Sequence, residues 1–175
     1  MDKSILQTDR LLLTPTSIED APLFLALLNT PKWIEFIGDR NVRTIEDAQK
    51  YISDRVLPQY ERLGYGNYTV SLRTDGTKIG CCGLYDREGL QGVDIGFSYL
   101  PSYERKGYGY EAACCVRDAA FNDFGLQTIG AITIEKNVAS RGLLEKLGLV
   151  FKKKIKLENA AEELLYYEIR KTSPF

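Results

Sequence analysis

Histidine is missing from this sequence altogether, and its absence excludes a good deal of chemistry. The Ser-His-Asp and Cys-His hydrolytic arrangements cannot be assembled, so acid or base work at neutral pH falls to carboxylates, tyrosines, lysines or ordered water. The four cysteines form two adjacent pairs, Cys81-Cys82 and Cys114-Cys115. Neighbouring residues point in different directions on a strand or helix, and C-C is not the C-x-x-C spacing of metal ligation. They read as reduced, buried small hydrophobes in a cytoplasmic protein, and no metal is expected. An excess of either charge is lacking too: Lys plus Arg is 23 and Asp plus Glu is 24, a net charge of -1. Without a basic excess to drive phosphate contacts, direct nucleic-acid binding is not expected. Long hydrophobic runs are also absent. The opening MDKSILQTDRLLL has no apolar core of a secretory signal, and no stretch approaches the roughly 18 apolar residues of a membrane span.

What remains is the balance of an ordinary globular protein, with 44% hydrophobic and 27% charged residues in a 175-residue chain. That length suits one buried core, so residues 1–175 read as a single domain. Arg10 to Thr14 reads as a strand ended by Pro15. Ser17, with Asp20 three residues on and an apolar run after it, opens a helix by a capping box; Thr44 and Asp47 open a second, closing before Pro58. Between them, Asn29 to Arg43 reads as irregular and carries the only tryptophan, Trp33. From Asn67 the period changes to two, with Asp75-Gly76 as a hairpin signal, a strand from Lys78 to Tyr85 and another from Val93 to Leu100. A helix follows from Tyr108 to Phe124. Then come a strand over Thr128 to Ile134, a helix over Ala139 to Leu147, and strands near Phe151 to Leu157 and Glu163 to Arg170. This order describes an α/β (α+β) layer with a mixed sheet.

Chemistry concentrates where the strand ending at Leu100 gives way to Pro101-Ser102-Tyr103-Glu104-Arg105-Lys106-Gly107-Tyr108-Gly109-Tyr110. Two glycines at a helix start let backbone N–H groups converge on one oxyanion, helped by the positive end of the helix dipole. The stretch lacks the third glycine of G-x-G-x-x-G and the G-K-[ST] of a P-loop. A turn leading into a helix explains the same glycines without any ligand. Further on, Asn137 leaves a strand end and Ser140 follows in the first turn of a helix; taken alone, Asn137 reads as a helix cap.

Together these stretches resemble the acyl-CoA-binding segments of the GNAT superfamily of N-acetyltransferases, in the branch similar to ribosomal-protein alanine and serine N-acetyltransferases. The resemblance covers nearly the whole chain. "QTDRLLLTP" resembles the opening strand, "FIGDRNVRTIEDAQKYI" the second helix, "IGCCGL" and "VDIGFSYLP" the central strands, "KGYGYEA" the pyrophosphate loop, and "NVASRGLLEKLGL" the segment after the fifth strand. It implies a mostly antiparallel central sheet flanked by helices on both faces, with acetyl-CoA as co-substrate. Phe97, Ser98, Tyr99 and Leu100 would pair with the pantetheine arm. Arg105, Lys106, Gly107, Tyr108, Gly109 and Tyr110 would hold the pyrophosphate. Asn137 would contact the pantetheine, and Ser140 would sit near the thioester sulfur. Two positions depart from the family pattern. Glu104 stands where the loop often begins with Gln or Arg, and Leu144 stands where many members have a tyrosine acid.

An α-amine has a reference pKa of about 7.7–8.0, so about a tenth is neutral at pH 7, whereas a lysine near 10.4 is almost wholly charged. An N-terminal amine, such as that of a ribosomal or other protein, therefore needs little help to attack a thioester directly. Asp94 and Glu135 are the carboxylates nearest the expected sheet centre and could take its proton through water; strand carboxylates paired with lysines would look the same. Ser140 could donate to the departing sulfur or simply satisfy its own helix start. Trp33, Phe36 and Tyr68 fit an acceptor pocket and fit core packing equally well. A small-molecule amine transferase and a non-catalytic acyl-CoA sensor share the coenzyme residues. A monomer or homodimer is expected.

Overall fold

In the computed structural model, which describes residues 4–172, the alternating segments become β1 (Leu6–Gln7), β2 (Leu11–Pro15), β3 (Asn67–Leu72), β4 (Lys78–Asp86), β5 (Val93–Tyr99), β6 (Thr128–Thr133), β7 (Val150–Ile155) and β8 (Leu164–Arg170). The helices are α1 (Ala21–Leu28), α2 (Pro31–Phe36), α3 (Ile45–Tyr51), α4 (Leu57–Leu63), α5 (Tyr108–Asn122) and α6 (Val138–Lys146). The strands form one sheet in the order β1-β2-β3-β4-β5-β6-β8-β7. Every neighbouring pair is antiparallel except β5 and β6, the two strands joined through α5. No helix among the described residues is long and apolar enough to cross a membrane.

Strand alternation sorts the core onto two faces. Cys82 and Leu84 of β4, Ile95 of β5, and Ile129 and Ala131 of β6 point to one side, where α5 lays down Ala112, Ala113, Val116, Ala119 and Ala120 and α6 adds Leu144. The run of alanines lets α5 approach the sheet closely. On the opposite face, Leu23 and Leu27 of α1 meet Cys81, while Phe24 and Leu28 pack with Ala48 of α3 and with Ile52. Helices thus cover both faces, as expected. All four cysteines are free thiols; Cys81 and Cys82 are buried, while Cys114 and Cys115 are half-buried.

Both capping boxes form as their sequences require: the Ser17 and Thr44 side chains accept from backbone N–H groups, and Asp20 and Asp47 reach back. Three boundaries differ from expectation. Strand β1 is two residues long and too short to signal itself. Helix α2 interrupts the segment expected to be irregular, started by Thr30 as a cap and Pro31 in the first turn. Pro58 does not stop the second helix. The chain passes from α3 through π-helical turns at Ile52–Val56 into α4, whose first turn contains Pro58, a place where the missing N–H costs nothing.

Asp20 links this helical layer to the sheet. It is 4% exposed, and its Oδ2 accepts from the Ser17 N–H and from the Thr69 hydroxyl on β3. Its Oδ1 lies 2.6 Å from Lys78 Nζ on β4. The chain of polar contacts continues from Thr69 to Thr16, from Thr16 to Asn67, and from Asn67 to Tyr85. Replacing Asp20 with Ala removes a cap and leaves buried donors unanswered, an expected loss of roughly 3 kcal/mol. Urea unfolding measures it, and a change below about 0.5 kcal/mol would show that the network does not hold α1 to the sheet.

Candidate active site

The site begins with a break in pairing. All seven residues of β5 have partners on β4, from Gly80↔Tyr99 to Asp86↔Val93. On its other side β5 shares one register position with β6, Asp94↔Gly130. Beyond it the two strands have no further register partners. The side chains of β5 are already committed: Phe97 and Tyr99 pack toward α5, and Leu100, just past the strand, joins Leu23, Leu27 and Cys81 on the other face. What β5 offers to the opening is main chain, whose N–H and C=O groups need partners. An extended ligand rich in amides could supply them, as a peptide does when it adds a strand.

Beyond Leu100 the chain turns at Pro101–Tyr103 and enters α5. Arg105 has φ 59 and Gly107 has φ 83, two left-handed residues separated by one. Gly107 occupies the N-cap position without a side-chain cap hydrogen bond, so the first-turn N–H groups of α5 are left for something else. Gly109 lies where three segments meet. A Cβ there would stand 3.3 Å from the Tyr99 ring of β5 and 3.6 Å from Leu143 of α6. Cations rest on the tyrosines around this turn: Lys106 Nζ is 5.6 Å from the Tyr103 ring centre and Lys146 Nζ is 4.3 Å from that of Tyr110. Glu104, the unexpected acid, pairs with Lys32 of α2. Its charge is thereby answered away from the helix start.

Asn137 caps α6, its Oδ1 accepting from the Ser140 N–H at 3.2 Å. The side-chain amide of Asn137 keeps its donor group, and Ser140 is half-buried in the same first turn. Leu144 is buried in the core, consistent with the absence of a tyrosine acid from that place.

The carboxylates separate. Asp94 sits at the last shared position of β5 and β6, is 1% exposed, and has Arg87 Nε 2.8 Å and 2.9 Å from its two oxygens. Burial pushes its pKa upward against the pull of Arg87. Glu135 lies elsewhere: its side chain is 72% exposed and faces Lys154 on edge strand β7, at 3.9 Å. It is the exposed, lysine-paired carboxylate that the sequence equally allowed. Tyr68 is a correction. It is fully buried, paired in register with Cys82 and packed in the α5-side core with its ring 6.1 Å from that of Tyr60, so it lines no pocket. Trp33 and Phe36 are half-buried on α2, the helix that Lys32 ties to the loop through Glu104. Trp33 packs against the Phe24 and Ile52 cluster, and its buried Nε1 has no hydrogen-bond partner among the described residues.

Among the ion pairs that the sequence reading did not reach, two lie beside the site. Arg87–Asp94 joins a loop to a strand, and no pattern marked it. Arg10–Glu111 spans 101 residues and could not be found from local spacing.

Comparison with known proteins places the chain in a family. Residues 10–150 match the family model described as an acetyltransferase (GNAT) domain. The chain is 29% identical over 145 residues to an N-acetyltransferase of Bacillus subtilis, YoaA, covering 82% of this chain and 81% of that one. Among solved structures, RimL, a ribosomal L7/L12 α-N-protein acetyltransferase in complex with coenzyme A, aligns with a TM-score of 0.80 at 14% identity, over 95% of this chain and 98% of that one. A ribosomal-protein-S5-alanine acetyltransferase from Vibrio fischeri aligns with a TM-score of 0.78 at 18% identity, over 95% and 96%. At those identities the structures establish the fold.

A Cβ on Gly109 would press on the Tyr99 ring, and a branched side chain would press harder. Gly109→Val should drive the first turn of α5 from Tyr99 and Leu143 and weaken coenzyme A binding about tenfold or more, a cost of about 1.4 kcal/mol or above. Calorimetry tests this; unchanged affinity in a folded variant would mean that the helix start does not hold the coenzyme.

Proposed function

The chain belongs to the GNAT acetyltransferase family and is an N-acetyltransferase, and on that premise we propose that it moves acetyl from acetyl-CoA to a protein N-terminal α-amine by direct attack. The observation that carries the reading is the single shared position of β5 and β6, with the open start of α5 beside it.

In this reading the backbone from Phe97 to Leu100 pairs with the pantetheine arm and holds the thioester carbonyl against an N–H donor, while the amides from Lys106 to Tyr110 receive the pyrophosphate. The amine nitrogen attacks the carbonyl carbon to form a tetrahedral intermediate. The carbon–sulfur bond then breaks, and the electron pair leaves on sulfur. The proton shed by nitrogen passes through water, with Asp94 as the carboxylate at the strand junction. Ser140 donates toward the departing sulfur. A thiol pKa near 8.5 makes the thiolate a fair leaving group, so positioning supplies most of the rate. Trp33 and Phe36 border the acceptor side.

A protein acceptor is supported by the fold shared with two ribosomal-protein N-acetyltransferases and by the chemistry of the amine. At pH 7 an α-amine is about a tenth neutral, while a lysine side chain is so to less than one part in about a thousand. A chain without histidine is better suited to the amine that needs less base. Acetyl-CoA turnover with peptide N-termini, polyamines, free amino acids and lysine side chains compares the acceptor classes. Peptides beginning with Ala or Ser should give the highest kcat/KM, by about tenfold or more. A polyamine or amino acid ahead of every peptide would make the chain a small-molecule transferase, and no turnover at all would leave an acyl-CoA sensor.

Ser140→Ala separates a catalytic role from a structural one. As a donor to sulfur, its loss lowers kcat about tenfold with coenzyme affinity nearly intact. Full kcat in the folded variant would make Ser140 a structural residue.

A further inference from the structure

Arg10 precedes the loop before α5 by nearly a hundred residues, yet it touches that loop at several points. Its Nη1 donates to the Lys106 carbonyl at 3.0 Å. Its guanidinium carbon lies 4.4 Å above the centre of the Tyr108 ring. A Cβ on Gly107 would stand 3.2 Å from its Nη2. Its Nε and its own backbone N–H donate to the two oxygens of Glu111, at 2.7 Å and 2.9 Å. The Thr8 hydroxyl adds another hydrogen bond to Glu111. The short β1–β2 connection is thereby fastened to the first turn of α5.

Two consequences follow from elementary geometry and charge. The C=O and N–H of one trans peptide point in opposite directions. Holding the Lys106 carbonyl toward Arg10 therefore turns the Gly107 N–H to the other side, away from the β1–β2 connection. Glu111, one turn into α5, places a carboxylate where a bound anion would feel its repulsion, and the guanidinium of Arg10 neutralises it. Arginine suits both tasks: its planar fork can donate in two directions while its face rests on an aromatic ring.

We propose that Arg10 is a positioning residue for the coenzyme, fixing the Lys106–Gly107 peptide and screening Glu111 so that the start of α5 accepts a pyrophosphate. The proposal rests on the reading of that helix start as the pyrophosphate site. Its effect is confined to acyl donors that carry phosphate; the thioester and the pantetheine arm lie along β5 and do not depend on Arg10.

The test compares acetyl-CoA with S-acetylpantetheine, which has the same thioester and arm without the pyrophosphate, on the wild-type protein, Arg10→Met and Arg10→Lys. The wild type should prefer acetyl-CoA in kcat/KM. Arg10→Met should raise KM for acetyl-CoA about tenfold or more with kcat little changed, and alter kcat/KM for S-acetylpantetheine by less than about twofold. Arg10→Lys keeps the charge but loses the fork, and should show the same donor-selective loss at roughly threefold. If Arg10→Met does not fold, as judged by its melting transition, Arg10→Lys decides. Equal losses on both donors in a folded variant, or no loss on acetyl-CoA, would overturn the positioning role. A wild-type protein that uses both donors equally well would overturn the pyrophosphate reading itself, and the role of Arg10 with it.

Discussion

The parallel neighbours β5 and β6 share one register position, Asp94↔Gly130, and the candidate site is organised around that loss of pairing. Strand β5 stays in place because β4 holds it along its whole length and Ile95, Phe97 and Tyr99 pack into the core on the α5 face. Strand β6 is held on its other side by β8. Neither strand can move to close the opening without giving up those partners. The Arg87–Asp94 pair sits where the shared edge ends. Burial of so hydrophilic a group is tolerated when a hydrogen-bonded counter-charge accompanies it, and removing either member would leave a charge uncompensated beside the opening. Main-chain groups facing the gap are therefore a fixed feature of the fold, available to an extended ligand and set before it arrives.

The helix start beside the opening is held from two directions. Glu104 is drawn to Lys32 on α2, and Glu111 is drawn to Arg10 before β2. Between these ion pairs lie Arg105 and Gly107, both in the left-handed region. For a non-glycine residue that conformation costs on the order of 1 kcal/mol or more, and it persists because the flanking residues are tied down. The Glu104 tie also fastens the loop to α2, the helix that carries Trp33 and Phe36. A loop pinned at both ends presents its amides with little reorganisation, which is what electrostatic stabilisation of an anion requires.

Much of this was legible in the sequence where the signal was local. Ser17 with Asp20, Thr44 with Asp47, and Asp75-Gly76 each announce a cap or a turn within four residues, and each forms as expected. The loop from Glu104 to Tyr110 and the cap at Asn137 are likewise contiguous. The misses have physical reasons. Helix α2 is six residues long, too short for periodicity, and announced only by Thr30-Pro31. Pro58 looked like a stop, yet the first turn of a new helix tolerates it. Tyr68 resembled a pocket aromatic, but strand alternation turns it with Cys82 into the core. Glu135 is exposed beside Lys154, a partner that sequence spacing does not reveal. Arg10–Glu111 and Arg87–Asp94 depend on tertiary placement alone, and no spacing rule reaches them.

The central claim is that coenzyme A occupies the β5–β6 opening with its pyrophosphate on the first turn of α5. Backbone amide chemical shifts of the protein, followed by NMR as coenzyme A is added, test it most directly. Saturable shifts concentrated at Phe97 to Leu100, Lys106 to Tyr110 and Asn137 are the predicted result. Saturable binding that leaves those three segments unmoved while shifting amides elsewhere would contradict the account.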